Sequence, residues 1–327
     1  MIQMKKGKLL LPFIPLLIAV DLRAQTTPAV ADQTQVQTVQ LESRLLNATV
    51  PYGVVLPAEY EAGSSREIRY PVVYLLHAYT GHYSSWLRRP EVVEWATRYR
   101  IIVVTPEGKV GWWTDSATVP SDRYETYLMK ELIPDVDRRY RTVASRRGRS
   151  IAGFSMGGYG ALKFAVKYPS QFVFAASFAG PVNLAFFTEA TQKEPGAAER
   201  SIRETFGPPQ SATRSANDLF GVLDRMPGSD VARIPYLYLA CGDKDSLLES
   251  NRAFDRLLSR LKVPHEYQEL SGGHDLAIYH DLIPRVIELA ARKMVPHKRR
   301  PANTRQQLLT TRLGHFVSPH PSGKTFP

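Results

Sequence analysis

Between Ser150 and Leu162 the chain places a Gly-x-Ser-x-Gly pentapeptide, Gly153-Phe154-Ser155-Met156-Gly157, at the junction of a β-rich run and a helix-forming one. A serine on so sharp a turn projects its Oγ above the sheet edge. The flanking glycines leave room that a Cβ would take from the neighbouring strand or helix. The helix starting near Met156 turns its free N–H groups and positive dipole end toward the space above Ser155, where the oxyanion of acyl transfer forms. Ser155 is therefore a candidate nucleophile, and the Met156 N–H a first oxyanion donor.

Such a serine needs a base and an orienting acid, which follow in the order Ser, Asp or Glu, His. The run Ile234 to Cys241 reads as a buried strand, with Gly242-Asp243-Lys244-Asp245 at its C-terminal end, where doubly wound sheets collect functional loops. Asp245 is the preferred acid and Asp243 the competitor. The next strand, Glu266 to Leu270, runs into Ser271-Gly272-Gly273-His274, whose glycines let an imidazole swing over the sheet edge. His274 is the expected general base. His265 opens a strand, His280 is expected inside the last helix, and His297, His315 and His320 lie in a tail of irregular composition. A second oxyanion donor is expected after the β-rich run Pro71 to Leu76, and the Tyr79 N–H is assigned to it. His77 reads as a structural tether of that loop.

The elements that must carry these groups alternate. Parallel strands are expected near 72–77, 101–105, 149–153, 172–179, 236–241 and 266–270. Helices are expected near 90–99, 121–133, 156–168, 249–261 and 276–292, after antiparallel strands within 38–56. That is an α/β chain with a doubly wound, mostly parallel sheet. Residues 181–233 lack strand signals and contain Pro195, Pro208, Pro209 and Pro227, which fits a small helical insertion beside the site. No internal repeat is visible.

Together these residues resemble the esterase D-like branch of the α/β-hydrolases, with its S-formylglutathione hydrolases, feruloyl, acetyl-xylan and tributyrin esterases and mycolyltransferases. The resemblance runs from about Val50 to Leu289. Its most specific parts are Tyr74-Leu75-Leu76-His77, Gly111-Trp112-Trp113-Thr114-Asp115-Ser116, Tyr124 to Pro134, Gly153 to Leu162, Cys241 to Asn251 and Gly272-Gly273-His274-Asp275. It implies the α/β-hydrolase fold, a Ser155, Asp245 and His274 triad, and an oxyanion hole of the Met156 and Tyr79 amides. It also places Trp112 and Trp113 near the acyl or alcohol pocket, with plain packing as the other reading. One departure stands out: the family usually has glycine where this chain has Ala78. A positive φ there would strain the alanine and shift the Tyr79 amide.

Composition bounds the rest. The chain has 327 residues, 43% hydrophobic, enough for one large core. Lys5, Lys6 and Lys8 precede an apolar stretch from Leu9 to Val20 and a cleavage site near Ala24, which reads as a leader over residues 1–24 and export of the chain from Gln25. Broken by Pro12 and Pro15, the stretch falls short of the roughly 20 residues of a membrane anchor. The net charge of +11 sits at the two ends, +3 within residues 1–24 and +8 within 292–327, so residues 25–291 are neutral. This argues against nucleic acid as a partner and for a solvated basic tail from Arg292. The lone Cys241 permits no intrachain disulfide, and the chain carries neither the short metal-binding motifs nor a phosphate loop, so no metal or other cofactor is indicated. Oligomeric state is not legible.

The function expected is a serine carboxylic-ester hydrolase acting through an acyl-enzyme on small-molecule or glycan esters, short-chain or carbohydrate-linked (acetyl or feruloyl). The same residues would serve an acyltransferase of the mycolyltransferase type. A glutathione thioesterase is disfavoured by the leader. A binding protein on this fold usually lacks a triad member, and here all three are present.

Overall fold

The computed structural model describes residues 35–62, 67–184 and 196–294. Among these, eight strands form one sheet: β1 Val36–Ser43, β2 Ala48–Val55, β3 Val72–Leu76, β4 Ile102–Thr105, β5 Arg149–Phe154, β6 Phe174–Phe178, β7 Tyr236–Gly242 and β8 His265–Leu270, in the order β1-β2-β4-β3-β5-β6-β7-β8. β1 pairs with β2 and β2 with β4 antiparallel, whereas every other pair is parallel. The β1–β2 turn passes through Asn47 at φ 48°, a left-handed angle that asparagine tolerates.

The strand order reverses around β3: the chain lays β4 on one side and then returns to lay β5 on the other. The C-terminal ends of β3 and β5 therefore flank a topological switch point, where sheets of this type bind ligands. β3, β4 and β6 are buried along their whole length because helices cover both faces. Strand alternation divides the core. Val72, Tyr74 and Leu76 pack with Tyr159, Leu162 and Phe164 on one face, while Val73 and Leu75 pack with Trp86, Trp95 and Val286 on the other.

Two helices differ from expectation, each because of a proline. The span expected as one helix over 121–133 is Tyr124–Tyr127, a wider π-helical turn Leu128–Leu132, and an α-helix Ile133–Arg139. Pro134 lacks an N–H and would crowd the carbonyl four residues back; the wide turn relieves both problems. The final helix, expected from Leu276, is split into a 3₁₀ turn Leu276–Tyr279 and a helix Leu282–Lys293. Pro284 is tolerated only in a first turn, so the helix starts just before it, and Asp275 caps the short turn by accepting the Ala277 N–H at 2.9 Å. His280 consequently sits between the two helices and not within one. The helix includes Arg292, expected both as its last residue and as the start of the tail, and runs one residue further, to Lys293.

The stretch expected as a helical insertion carries helices at Ala197–Phe206, Ala212–Asn217, Leu219–Asp224 and Gly228–Val231. The leader over 1–24 and the tail beyond Met294 lie outside the described residues. No helix among the described residues is long and apolar enough to cross a membrane.

Candidate active site

Ser155 joins β5 to the helix Met156–Lys167 with φ 53° and ψ −117°, a conformation that costs a non-glycine residue free energy and that the surrounding packing must hold. Close approach explains its glycine neighbours. A Cβ on Gly153 would lie 2.4 Å from the carbonyl carbon of Gly157, and one on Gly157 would lie 2.3 Å from the Leu76 carbonyl oxygen. The helix is thus pressed against the ends of β3 and β5, its residues buried from Met156 through Val166. The Ser155 N–H donates to the Phe178 carbonyl at 2.8 Å and pins the turn to β6.

Three loops bring the chemistry together. His274 Nε2 lies 2.8 Å from Ser155 Oγ, and its Nδ1 lies 2.7 Å from Asp245 Oδ2. The Asp245 side chain is fully buried, and its other oxygen accepts the Leu247 N–H at 2.9 Å. An ionised carboxylate can only accept, so Nδ1 carries the proton and Nε2 presents its lone pair to the serine hydroxyl. The imidazole stacks on the Phe154 ring at 5.1 Å between centroids and 30° between planes. Asp243 does a different job: its Oδ1 accepts the Gly272 N–H at 2.9 Å, lacing the β7 loop to the loop that carries His274. Of the two candidate acids, Asp245 alone meets the imidazole.

The Met156 N–H lies in the first turn of its helix, where no intrahelical carbonyl is available to it. The Tyr79 N–H shares a planar peptide with the Ala78 carbonyl, so the two point in opposite directions. That carbonyl is held by two donors, the Gly81 N–H and His77 Nδ1, each at 2.9 Å. His77 Nε2 in turn accepts the Gly108 N–H at 2.9 Å, which fixes the tautomer. His77 is buried and serves as the tether expected of it. Burial pushes the adjacent Glu107 carboxyl up, yet the N–H groups of Lys109, Tyr83 and Gly108 that it accepts outweigh burial and hold it below the usual carboxylate value. The strain foreseen at Ala78 does not occur: in this loop it is Thr80 that takes a positive φ, 61°.

Both tryptophans are buried in the same core, and they differ in what they touch. Trp113 has 0% exposure, packs against His77 at 4.9 Å between centroids, and fills the space beside Gly108 and Gly160. It is core and cannot touch substrate. Trp112 stacks on the Tyr79 ring at 5.7 Å and 23°, and its Nε1–H donates to Ser201 Oγ at 2.9 Å, tying the Tyr79 loop to the helix Ala197–Phe206. Both take left-handed φ values, 52° and 54°.

What holds that strained pair escaped the sequence reading. Lys163, fully buried, donates to the Trp113 carbonyl, to Thr114 Oγ1 at 2.9 Å and to Glu125 Oε2 at 2.9 Å. Glu125 also receives Lys167 at 2.7 Å and the Tyr168 hydroxyl at 2.7 Å. Burial raises the Glu125 carboxyl, but the two ammonium groups pull it down to about 2. Burial lowers Lys163 to about 8, more than Glu125 can restore. A lysine amid the apolar run Tyr159 to Val166 was the available signal: an unbroken buried helix face with one cation calls for a buried partner.

Three known proteins are similar to this chain. The chain is 29% identical over 218 residues to an acetyl esterase of Caldicellulosiruptor saccharolyticus, covering 66% of this chain and 81% of that protein. It is 29% identical over 239 residues to an esterase of Mycobacterium tuberculosis (strain ATCC 25618 / H37Rv), covering 68% of this chain but 51% of that protein, so it spans about half that relative's length. A solved ferulic acid esterase superimposes with a TM-score of 0.67 at 26% identity, over 80% of this chain and 98% of its own. Residues 43–288, about three quarters of the chain, match the profile of the esterase family described as "Putative esterase"; with an α/β-hydrolase fold, the chain belongs to that family and is an esterase, a hydrolase of carboxylic esters.

Proposed function

We propose that the chain is a serine esterase working through an acyl-enzyme, with Ser155 as nucleophile, His274 as general base and acid, and Asp245 as the group that holds the imidazole tautomer. The reading rests on one observation, the unbroken relay Ser155 Oγ, His274 Nε2 and Nδ1, Asp245 Oδ2, at 2.8 and 2.7 Å. His274 takes the serine proton as Oγ attacks the ester carbonyl, and the oxyanion is received by the Met156 and Tyr79 amides. Collapse breaks the C–O bond and passes the proton from Nε2 to the leaving oxygen. Water then enters on the same path and releases the acid.

Short-chain or carbohydrate-linked esters, acetyl or feruloyl, are the substrates this reading favours, in keeping with the acetyl and ferulic acid esterases among the relatives. Export behind a leader over residues 1–24 belongs to the same reading. The test is p-nitrophenol release from acetate, butyrate and octanoate esters by the chain beginning at Gln25, beside Ser155→Ala. Activity that vanishes in the variant supports the assignment, and equal rates in both remove Ser155 from it. Added sugar alcohols that divert the acyl group from free acid would convert the reading to acyl transfer.

A further inference from the structure

Beside the oxyanion loop the surface opens into a groove of about 220 Å³ whose lining includes Tyr79, Thr80, His82, Arg88, Phe154 and Leu276. It borders the reacting centre through three of its lining residues. Phe154 carries the ring on which His274 stacks, Leu276 follows His274 by two residues, and Tyr79 supplies the second oxyanion amide. In the chemistry proposed above, the imidazole delivers its proton to the leaving oxygen, so that oxygen and the alcohol attached to it must lie on the imidazole side.

The groove has an apolar floor and a cationic rim. Trp86, which also lines it, is 3% exposed and anchored by its Nε1–H to the Leu76 carbonyl at 3.0 Å, and Phe154 and Leu276 add flat apolar surface. At the rim, Arg88 Nη1 donates only to Ser84 Oγ, at 3.2 Å. Its neighbour Arg89 pairs with Glu91, but no carboxylate among the described residues lies within ion-pair distance of Arg88, and no Asp or Glu lines the groove. The result is a guanidinium without a counter-charge above a floor that suits one ring.

We propose that this groove is the subsite for the leaving alcohol and that Arg88 selects alcohols carrying a carboxylate, as an acidic sugar or a hydroxybenzoate does. The inference rests on the serine-esterase reading for its geometry. Arg88 is exposed, so a charge-assisted pair there is worth about two- to fivefold in kcat/KM, and less at high salt.

The test measures kcat/KM for matched pairs with one acyl group: 4-acetoxybenzoate against 4-acetoxybenzamide, and O-acetyl galacturonate against O-acetyl galactose. Wild type and Arg88→Gln are compared, and the quantity read is the acid-to-neutral ratio of each enzyme. Any general loss in the variant cancels from it. The expected result is a wild-type ratio about two- to fivefold above that of Arg88→Gln in at least one pair, partly restored by Arg88→Lys and shrinking with added salt. The pair that responds tells the acidic sugar from the aromatic acid. Equal ratios in both enzymes overturn the subsite while leaving the esterase intact. Hydrolysis that survives Ser155→Ala would instead overturn the reading beneath it.

Discussion

Replacing Lys163 with methionine keeps most of the apolar stem and removes the charged end, leaving Glu125 buried with Lys167 as its remaining cation. The wild-type carboxyl is held at about 2 against an ordinary 4.5, and the Lys163 ammonium at about 8 against an ordinary 10.5, so what the carboxylate gains the buried ammonium offsets. Breaking a buried pair from one side costs about 3–5 kcal/mol, whereas exchanging both members for neutral groups is close to neutral, because the desolvation of each ion cancels most of their attraction. Lys163→Met and Glu125→Gln should therefore each lower the unfolding free energy by about 3 kcal/mol, and the double variant should fall well short of the sum. Chemical denaturation of all four proteins at neutral pH measures this. The pH dependence adds a sign. A carboxyl whose value is lowered on folding contributes stability that is fully present above 4.5 and fades as pH falls toward 2. Lys163→Met should lose that acid resistance at a higher pH than wild type. Single variants costing under about 1 kcal/mol, or effects that add within about 0.5 kcal/mol, would refute the network as the clamp on the Trp112–Trp113 turn.

The remaining predictions concern catalysis. Asp245→Asn should lower kcat by about 10⁴-fold by freeing the imidazole tautomer, while Asp243→Asn, which keeps an acceptor for the Gly272 N–H, should lower it far less; the reverse order in steady-state kinetics would exchange their roles. Gly157→Ala places a methyl 2.3 Å from the Leu76 carbonyl oxygen and 2.9 Å from that of His77, both backbone atoms, so soluble yield and kcat should fall together. A folded, fully active alanine variant would dismiss the close approach as the reason for glycine. His77→Phe removes one of the two donors holding the Ala78 carbonyl and so lets the Tyr79 N–H turn away. A loss of about tenfold to 10²-fold in kcat with KM little changed is expected, up to the size of a lost oxyanion donor, and an unchanged kcat would take Tyr79 out of the oxyanion hole.

Much of this architecture was legible in the chain because its signals are local. β-rich runs ending in glycine loops placed six parallel strands to within a residue or two; the inner ones are largely apolar because both their faces are buried, while β8 at the sheet edge mixes polar and apolar residues. The proline positions carried the two helix breaks as well, but a proline tells where a helix may start only after the depth of its neighbours is known. Ser155 and His274 stood out as candidates because steric demand at an elbow and at a glycine turn is written into adjacent residues.

What no local signal contained is contact across distance. Asp243 and Asp245 share a turn and a side-chain chemistry, and only the pairing of β7 with β8 decides that one laces the loops while the other faces the imidazole. Trp112 and Trp113 are identical neighbours, and the packing of Tyr79 against one and of His77 against the other separates them. Lys163 and Glu125 stand 38 positions apart, each unremarkable in its own segment. A charge becomes a clamp once desolvation leaves it a single partner, and that is a property of the folded interior. The order and identity of residues determined which groups could do chemistry, whereas burial and the approach of distant strands decided which of them meet.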